Sequence, residues 1–172
     1  MEARYQRRLT LLRHAHAAPG DTSTPDRDRP LDSRGEQEAK LIGQRLHDSG
    51  ARPSLIITSP AARASRTARL IASVLGYPQE FVQREASLYL ANPADLLLVI
   101  AAQDDAFMDM LVCAHNPGLS ELASQLTHQT LDSLPTAGLV TIGLDARTWS
   151  GTTAGGALIR QDDPHQAAAF DE

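Results

Sequence analysis

The stretch Leu55-Ile56-Ile57-Thr58-Ser59-Pro60-Ala61-Ala62-Arg63-Ala64-Ser65-Arg66-Thr67-Ala68-Arg69-Leu70-Ile71-Ala72-Ser73-Val74-Leu75-Gly76 changes its period halfway along. Residues 55–58 form a short run with three β-branched side chains, the pattern of a strand buried on both faces. Beyond Pro60, which suits the first turn of a helix, Ala64, Ala68, Ile71 and Leu75 recur on one helical face. Gly76 then supplies a stop. A buried strand that runs through a polar turn into a helix is the building unit of an α/β layered fold.

The unit recurs on both sides. Leu9–Leu12 reads as a first strand. Residues 17–32 hold three prolines and four aspartates without periodicity, which makes them a loop. Ser33 followed by Glu36 has the form of a capping box, and Ala39, Ile42 and Leu46 share the face of the helix behind it, with Gly50 at its end. Phe81–Arg84 reads as a short strand, and Asn92-Pro93 as the cap and first residue of a helix to about residue 103. Met110–Ala114 is a third buried strand. Asn116-Pro117 has the same cap form, and Leu119, Leu122, Ala123 and Leu126 turn inward behind it. Leu139–Leu144 is a further strand, and Ala157–Arg160 is expected to return beside it as a hairpin around Trp149 and Gly151. Residues 162–172 read as a loose tail.

Composition bounds the function. A length of 172 residues suits one domain over residues 1–172, large enough to bury a core. Aromatic residues are only 4%, so Leu, Ile, Val and Ala must fill that core. The longest apolar run, Leu96–Ala102, falls far short of the ~20 residues a membrane helix needs. No apolar segment follows the basic start, so no secretory leader is read, and the expected location is cytoplasmic. Cys113 is the sole cysteine, which excludes an intramolecular disulfide and a cysteine-only zinc site. The net charge of −5 argues against a nucleic-acid partner. Charge is unevenly spread: residues 1–84 carry 14 of the 16 basic residues and a net of +5, and residues 85–172 a net of −10.

Three of the buried strands end in polar clusters: Arg13-His14 after the first, Ser59-Pro60 with Arg63 after the second, His115-Asn116-Pro117 after the third. Ligands of open α/β sheets sit at the carboxyl ends of strands. The topology therefore gathers Arg13, His14, Arg63 and His115 around one crevice, beside helix starts that favour an anion. Such a set suits a phosphate. A neutral imidazole is a nucleophile near pH 7, and two guanidiniums hold the phosphoryl oxygens as charge builds up. His14 and His16, two apart on one strand face, are the alternative as a metal pair, although that chemistry needs further ligands. His16, His47, His128 and His165 otherwise read as surface residues, and Arg66 and Arg69 as the solvated face of their helix. The absence of GxxxxGK[ST] and GxGxxG gives no support to nucleotide folds.

In this order the motifs resemble a family. Leu-Leu-Arg13-His14-Ala-His-Ala is similar to the "RHG" motif of the histidine phosphatase, or phosphoglycerate-mutase-like, superfamily, with Ala15 in place of its glycine. Arg29-Pro30-Leu31-Asp-Ser-Arg-Gly35 is similar to its R-P-L-T-x-x-G stretch, Ser59-Pro60-Ala-Ala-Arg63-Ala-Ser-Arg-Thr67 to its S-P-x-x-R-A-x-x-T segment, and Ala114-His115-Asn116-Pro117 to its second-histidine motif. The short chain resembles the SixA branch, whose members remove phosphate from phosphohistidine in proteins. The resemblance implies a three-layer α/β/α sandwich around a mostly parallel sheet. It also implies His14 as the phosphorylated nucleophile, with Arg13, Arg63 and His115 as catalytic and phosphate-binding partners. No metal and no cofactor are required by that scheme. The implied partner is a phosphohistidine protein or a small phosphorylated substrate, with no nucleic acid and no membrane. Glu85 stands near the position of the acid in mutase-like relatives, and equally reads as a surface residue. The rival readings are a small-molecule phosphomonoesterase on the same scaffold and a non-catalytic module that binds phosphoprotein.

Overall fold

A computed structural model describes residues 5–167. Its six strands are β1 (Arg7–Arg13), β2 (Leu55–Thr58), β3 (Gln83–Arg84), β4 (Asp109–Ala114), β5 (Leu139–Leu144) and β6 (Ala157–Asp162). The helices are α1 (Ser33–Asp48), α2 (Ala62–Leu75), α3 (Pro93–Ala101) and α4 (Gly118–Thr127). The strands form one sheet in the order β3-β2-β4-β1-β5-β6. The β3-β2, β2-β4 and β4-β1 pairs are parallel, and β5 and β6 close the other edge by antiparallel pairing. Among the described residues no helix is long and apolar enough to cross a membrane.

Alternation along the strands builds the layers. Leu9, Leu11, Leu55, Ile57, Met110, Val112, Val140 and Ile142 pack with Leu96 and Ile100 of α3 and Leu119 and Leu122 of α4. Leu12, Ile56, Leu111, Cys113 and Leu139 face the opposite way, onto Ile42 of α1 and Ala64, Ala68 and Ile71 of α2. A strand covered on both sides must be apolar at every position, and this is why the runs carry no polar alternation. The expected three-layer α/β/α sandwich is therefore present, with a mixed sheet whose central strands are parallel.

Several boundaries move for physical reasons. The cap of α1 is Asp32 rather than Ser33: its Oδ1 accepts the Gly35 N–H at 2.8 Å. A carboxylate one residue earlier is the better acceptor, and Glu36 turns away to pair with Arg66 of α2 at 2.8 Å. Pro60 is not the first residue of α2, because Ser59 Oγ accepts the Ala61 N–H at 3.2 Å and extends the turn. Likewise α4 begins at Gly118 rather than Pro117, with Asn116 Oδ1 accepting from both the Ser120 amide and hydroxyl. Phe81 belongs to a 3-10 turn, and only Gln83–Arg84 pairs with β2. Ala157–Arg160 does return beside β5, and the strand runs on to Asp162. The chain beyond it is not a loose tail as far as residue 167. Arg45 of α1 holds Asp162 Oδ1 and the Asp163 and Gln166 carbonyls at 2.8–2.9 Å. The rest of the expected tail, 168–172, lies outside the described residues.

Gly35 fixes where α1 starts relative to the strand ends. A Cβ at this position would lie 2.0 Å from the His16 carbonyl oxygen, a contact no side chain tolerates. We expect Gly35→Ala to destabilise the fold by about 1–3 kcal/mol, as overpacking does. Gly20→Ala, whose Cβ would meet only Arg29 Cδ at 3.6 Å, is expected to be near neutral. Urea unfolding of both variants checks this, and equal midpoints would contradict it.

Candidate active site

The site begins as a continuation of the sheet. Arg13 stands opposite Ala114 and Thr58 opposite Cys113, so the carboxyl ends of β1, β4 and β2 lie in line. The backbone ladder extends one residue further: His14 N–H donates to the Ala114 carbonyl at 3.2 Å and Ser59 N–H to the Cys113 carbonyl at 2.9 Å. The His14 carbonyl accepts the Ala137 N–H at 3.0 Å. The next amide, Ala15, donates to Thr67 Oγ1 at 3.0 Å, and that hydroxyl donates to the Arg63 carbonyl at 2.7 Å. Thr67 thus ties the turn that carries His14 to the helix that carries Arg63.

All four residues expected at the crevice come together. His14 and His115 have ring centroids 5.2 Å apart, and Arg63 Nε donates toward His14 Nε2 at 3.4 Å. Arg13 is half-buried beside them, with Nη1 on the Leu134 carbonyl at 2.9 Å. His14, Arg63 and His115 are buried, at 8%, 3% and 3% exposure. His14 Nδ1 lies 2.8 Å from the Ala15 carbonyl. A carbonyl only accepts, so Nδ1 carries the proton and Nε2 keeps its lone pair. His115 Nε2 meets Ser59 Oγ at 2.7 Å, while its buried Nδ1 has no partner among the described residues. With the serine hydroxyl donating to Nε2, Nδ1 bears a hydrogen that no described residue accepts.

Burial and the surrounding arginines keep both imidazoles neutral. Burial is the largest cause for His14, with Arg63, Arg13 and Arg29 adding to it, and brings it down to about 4. Burial again, then His14, Arg63 and Arg13, bring His115 down to about 3. A neutral imidazole with an unprotonated Nε2 and two guanidiniums nearby can take a phosphoryl group and have its oxygens held.

Sequence reading missed Asp26, in the loop between β1 and α1. Its Oδ2 accepts from Arg63 Nη2 at 3.1 Å and from the Tyr89 hydroxyl at 2.5 Å, and Oδ1 accepts from Arg29 Nε at 3.0 Å. The Tyr89 bond first, then Arg63 and Arg29, hold this carboxyl down to about 2. Tyr89 in turn stands edge-on to His115 at 5.6 Å. Nothing in a loop with four aspartates marks which one folds back. Glu85 is turned to its own neighbour, with Oε1 accepting from the Ser87 hydroxyl at 2.9 Å. His16 faces Asp32 at 2.6 Å, and no three His, Cys, Asp or Glu side chains gather in a metal-binding group among the described residues. A cavity of about 610 Å³ lies at the other end of the sheet, against Arg8 and Asp109, remote from these groups. A smaller recess of about 340 Å³, lined in part by Pro60, Arg66, Arg69 and Arg84, borders the start of α2.

Comparison with known proteins finds similar chains and folds. Residues 9–86 match the family described as Histidine phosphatase superfamily (branch 1). The chain is 36% identical over 129 residues to an uncharacterized chloroplastic protein of Arabidopsis thaliana, which is 70% of this chain and 59% of that one. It is 37% identical over 92 residues to the mitochondrial serine/threonine-protein phosphatase Pgam5 of Drosophila willistoni, 53% of this chain and 31% of that one. The chain therefore spans less than two thirds of the length of these relatives. A solved SixA structure from Agrobacterium tumefaciens, described as a candidate phosphohistidine phosphatase, superposes with a TM-score of 0.79 at 29% identity, over 93% of this chain and 99% of that one.

The lowered histidines make stability depend on pH in a definite direction. Between pH 6.5 and about 4 the unfolded chain binds protons that folded His14 and His115 refuse, so stability is lost as pH falls through that window. From pH 7 to pH 5 we expect a loss on the order of 1–2 kcal/mol for each histidine. Urea unfolding of the wild type and of the His14→Asn/His115→Asn double variant measures it. The double variant should lose distinctly less, and an equal loss in both would contradict the assignment.

Proposed function

The chain belongs to the histidine phosphatase superfamily, and on that premise we propose that it is a phosphatase that passes the phosphoryl group through His14 and acts on phosphohistidine in a protein. The observation that carries the substrate class is Asp26. It is the carboxylate in contact with the Arg and His cluster, and its hydrogen bonds hold it ionised far below neutral pH. An ionised carboxylate has no proton to give to a leaving alkoxide. An imidazole leaving group needs far less help, because it departs as a much weaker base.

In the proposed sequence His14 Nε2 attacks phosphorus, and the P–N bond to the substrate imidazole breaks. The departing ring takes its proton from solvent. Arg13, Arg63 and His115 Nδ1–H bind the three phosphoryl oxygens as charge shifts among them. Water then attacks phosphorus, the bond to His14 breaks with its electron pair returning to Nε2, and inorganic phosphate leaves. The arginines supply the positive charge that a metal ion supplies in other phosphatases, so the scheme is metal-independent. The similarity to SixA over almost the whole chain supports the phosphoamide reading. The similarity to a serine/threonine-protein phosphatase supports a protein substrate with an ester as the rival.

Four outcomes are expected. His14→Ala abolishes turnover, and quenching the wild type with labelled substrate traps an acid-labile, base-stable phosphoenzyme. Activity is unchanged by chelator, and a phosphohistidine protein is turned over faster than alkyl phosphates. Normal turnover by His14→Ala sinks the mechanism, and fast alkyl-phosphate hydrolysis moves the assignment to an esterase. Separately, Arg63→Ala should lower the rate by about 10²–10³, the usual loss for one transition-state donor. Arg69→Ala, on the exposed side of α2, should change it only slightly. Parallel steady-state assays decide this, and equal effects would place the crevice elsewhere.

A further inference from the structure

Arg63 presents five N–H bonds in a flat fork, and two of them go to a single residue. Nη1 donates to the Asp26 carbonyl at 2.7 Å, and Nη2 donates to Asp26 Oδ2 at 3.1 Å. Residue 26 thereby fills the terminal edge of the guanidinium. Nε points the other way, toward His14 Nε2 at 3.4 Å. The side edge, formed by Nε–H and the second Nη2–H, is the one turned to the nucleophile. A planar fork grips two oxygens of a phosphoryl group through one such edge.

Asp26 is itself fixed from three directions. Arg29 Nε bonds Oδ1 at 3.0 Å, and a second Arg29 nitrogen holds the Ala18 carbonyl at 2.9 Å, across the base of the same loop. Tyr89 arrives from the segment after β3 and donates to Oδ2 at 2.5 Å. A carboxylate with three donors around it and its own carbonyl on the same guanidinium is a built contact, although its side chain is 48% exposed. Arg63 is 3% exposed and needs an anion beside it; removing that anion frees a long side chain to turn about its own axis.

We infer that Asp26 is a positioning residue for phosphoryl transfer: by occupying the terminal edge of Arg63 it aims the Nε–Nη2 edge at the phosphoryl oxygens on His14. The inference rests on the phosphatase reading, but part of its test needs no turnover. A contact that merely blocked the pocket would have filled the edge facing His14. This one fills the terminal edge and leaves the Nε–H, directed at His14 Nε2 at 3.4 Å, and the second Nη2–H on the side turned to the nucleophile. Arg63 and Asp26 then act as one unit, so losing either should lose nearly the same effect.

The test compares wild type, Asp26→Ala, Asp26→Asn, Arg63→Ala and the Asp26→Ala/Arg63→Ala double variant. Tungstate binding is measured by calorimetry, and turnover with phosphoramidate. Asp26→Ala is expected to weaken tungstate binding about 10-fold and to lower kcat by about 10- to 100-fold, the scale of a misplaced catalytic group, with KM changing less. Asp26→Asn, which keeps an oxygen acceptor without the charge, should fall between. In the double variant the Asp26 change should add almost nothing to Arg63→Ala. Thermal unfolding shows which variants are folded, and Asp26→Asn decides if Asp26→Ala is not. Tighter tungstate binding by the Asp26 variants would overturn the inference and make Asp26 a competitor of substrate. Full additivity with Arg63→Ala, or an unchanged kcat, would overturn it as a role unrelated to Arg63. Tungstate binding without any turnover by the wild type would defeat the phosphatase reading while the binding series still judged Asp26. Failure of the wild type to bind tungstate would defeat both.

Discussion

Parallel pairing of β1 with β4, and of β4 with β2, is the constraint on which the rest depends. The register puts Arg13 level with Ala114 and Thr58 level with Cys113. The three chains therefore leave the sheet at one height, and the residues that follow, His14, Ser59 and His115, become neighbours without any contact in sequence. Backbone bonds carry the ladder one step past the strands and hold His14 and Ser59 at the height their neighbours need. A slip of one residue in β1 would send His14 to the opposite face and Arg13 into its place. Both faces are buried, so such a slip also breaks the packing of Leu9, Leu11 and Leu12, and the core enforces the register that the chemistry uses.

The second constraint is electrostatic. A buried and a half-buried guanidinium and a buried imidazole oppose each other: the first two must be charged, the last is useful only when neutral. The site solves this by proximity. Arg63 and Arg13 lower the His14 pKa in addition to the effect of burial, while anions compensate the arginines from the far side. Asp26 serves Arg63 in this way. Glu38, buried at the start of α1, accepts the His16 N–H at 3.0 Å and the Thr136 hydroxyl at 3.2 Å, and its charge acts on Arg13 from there. The carboxylates thus stand behind the cations, where they steady them without filling the side turned to His14.

The sequence shows this fold wherever one signal dominates. Buried runs and helical stripes locate β1, β2, β4, β5 and all four helices, and the polar residues at strand ends locate Arg13, His14, Arg63 and His115. Boundaries shift where polar acceptors stand side by side, as with Asp32 and Ser33, because either can cap and only the packed geometry chooses. Ala15 at the glycine of the motif proves easy to place: it is fully buried, and it is not among the described residues with positive φ, so a Cβ costs nothing in backbone strain. Thr67 is recognisable only by motif, since its bridge between Ala15 and Arg63 closes across 52 residues of chain. Asp26 and Tyr89 are invisible to pattern. One lies in an aperiodic loop and the other after a 3-10 turn, and 63 residues separate two groups that share a hydrogen bond.

Asp26 also bears on how this scaffold separates phosphoamides from phosphate esters. An alkyl ester needs a proton on its leaving oxygen, so an esterase that uses a carboxyl for this must keep it protonated near the scissile bond. A carboxyl that anchors a guanidinium must do the opposite and stay ionised, since protonation would replace an acceptor by a donor facing Arg63 or Tyr89. One side chain cannot serve both demands at one pH. With Asp26 bound to Arg63, a general acid has to come from elsewhere, and Glu85 is turned to the Ser87 hydroxyl, with no bond to the cluster. Proton donation and arginine alignment compete for the same few carboxylates around this crevice. Where alignment takes the near one, a step that needs an acid must draw its proton from another group, and this competition is the physical ground of the phosphoamide reading proposed above.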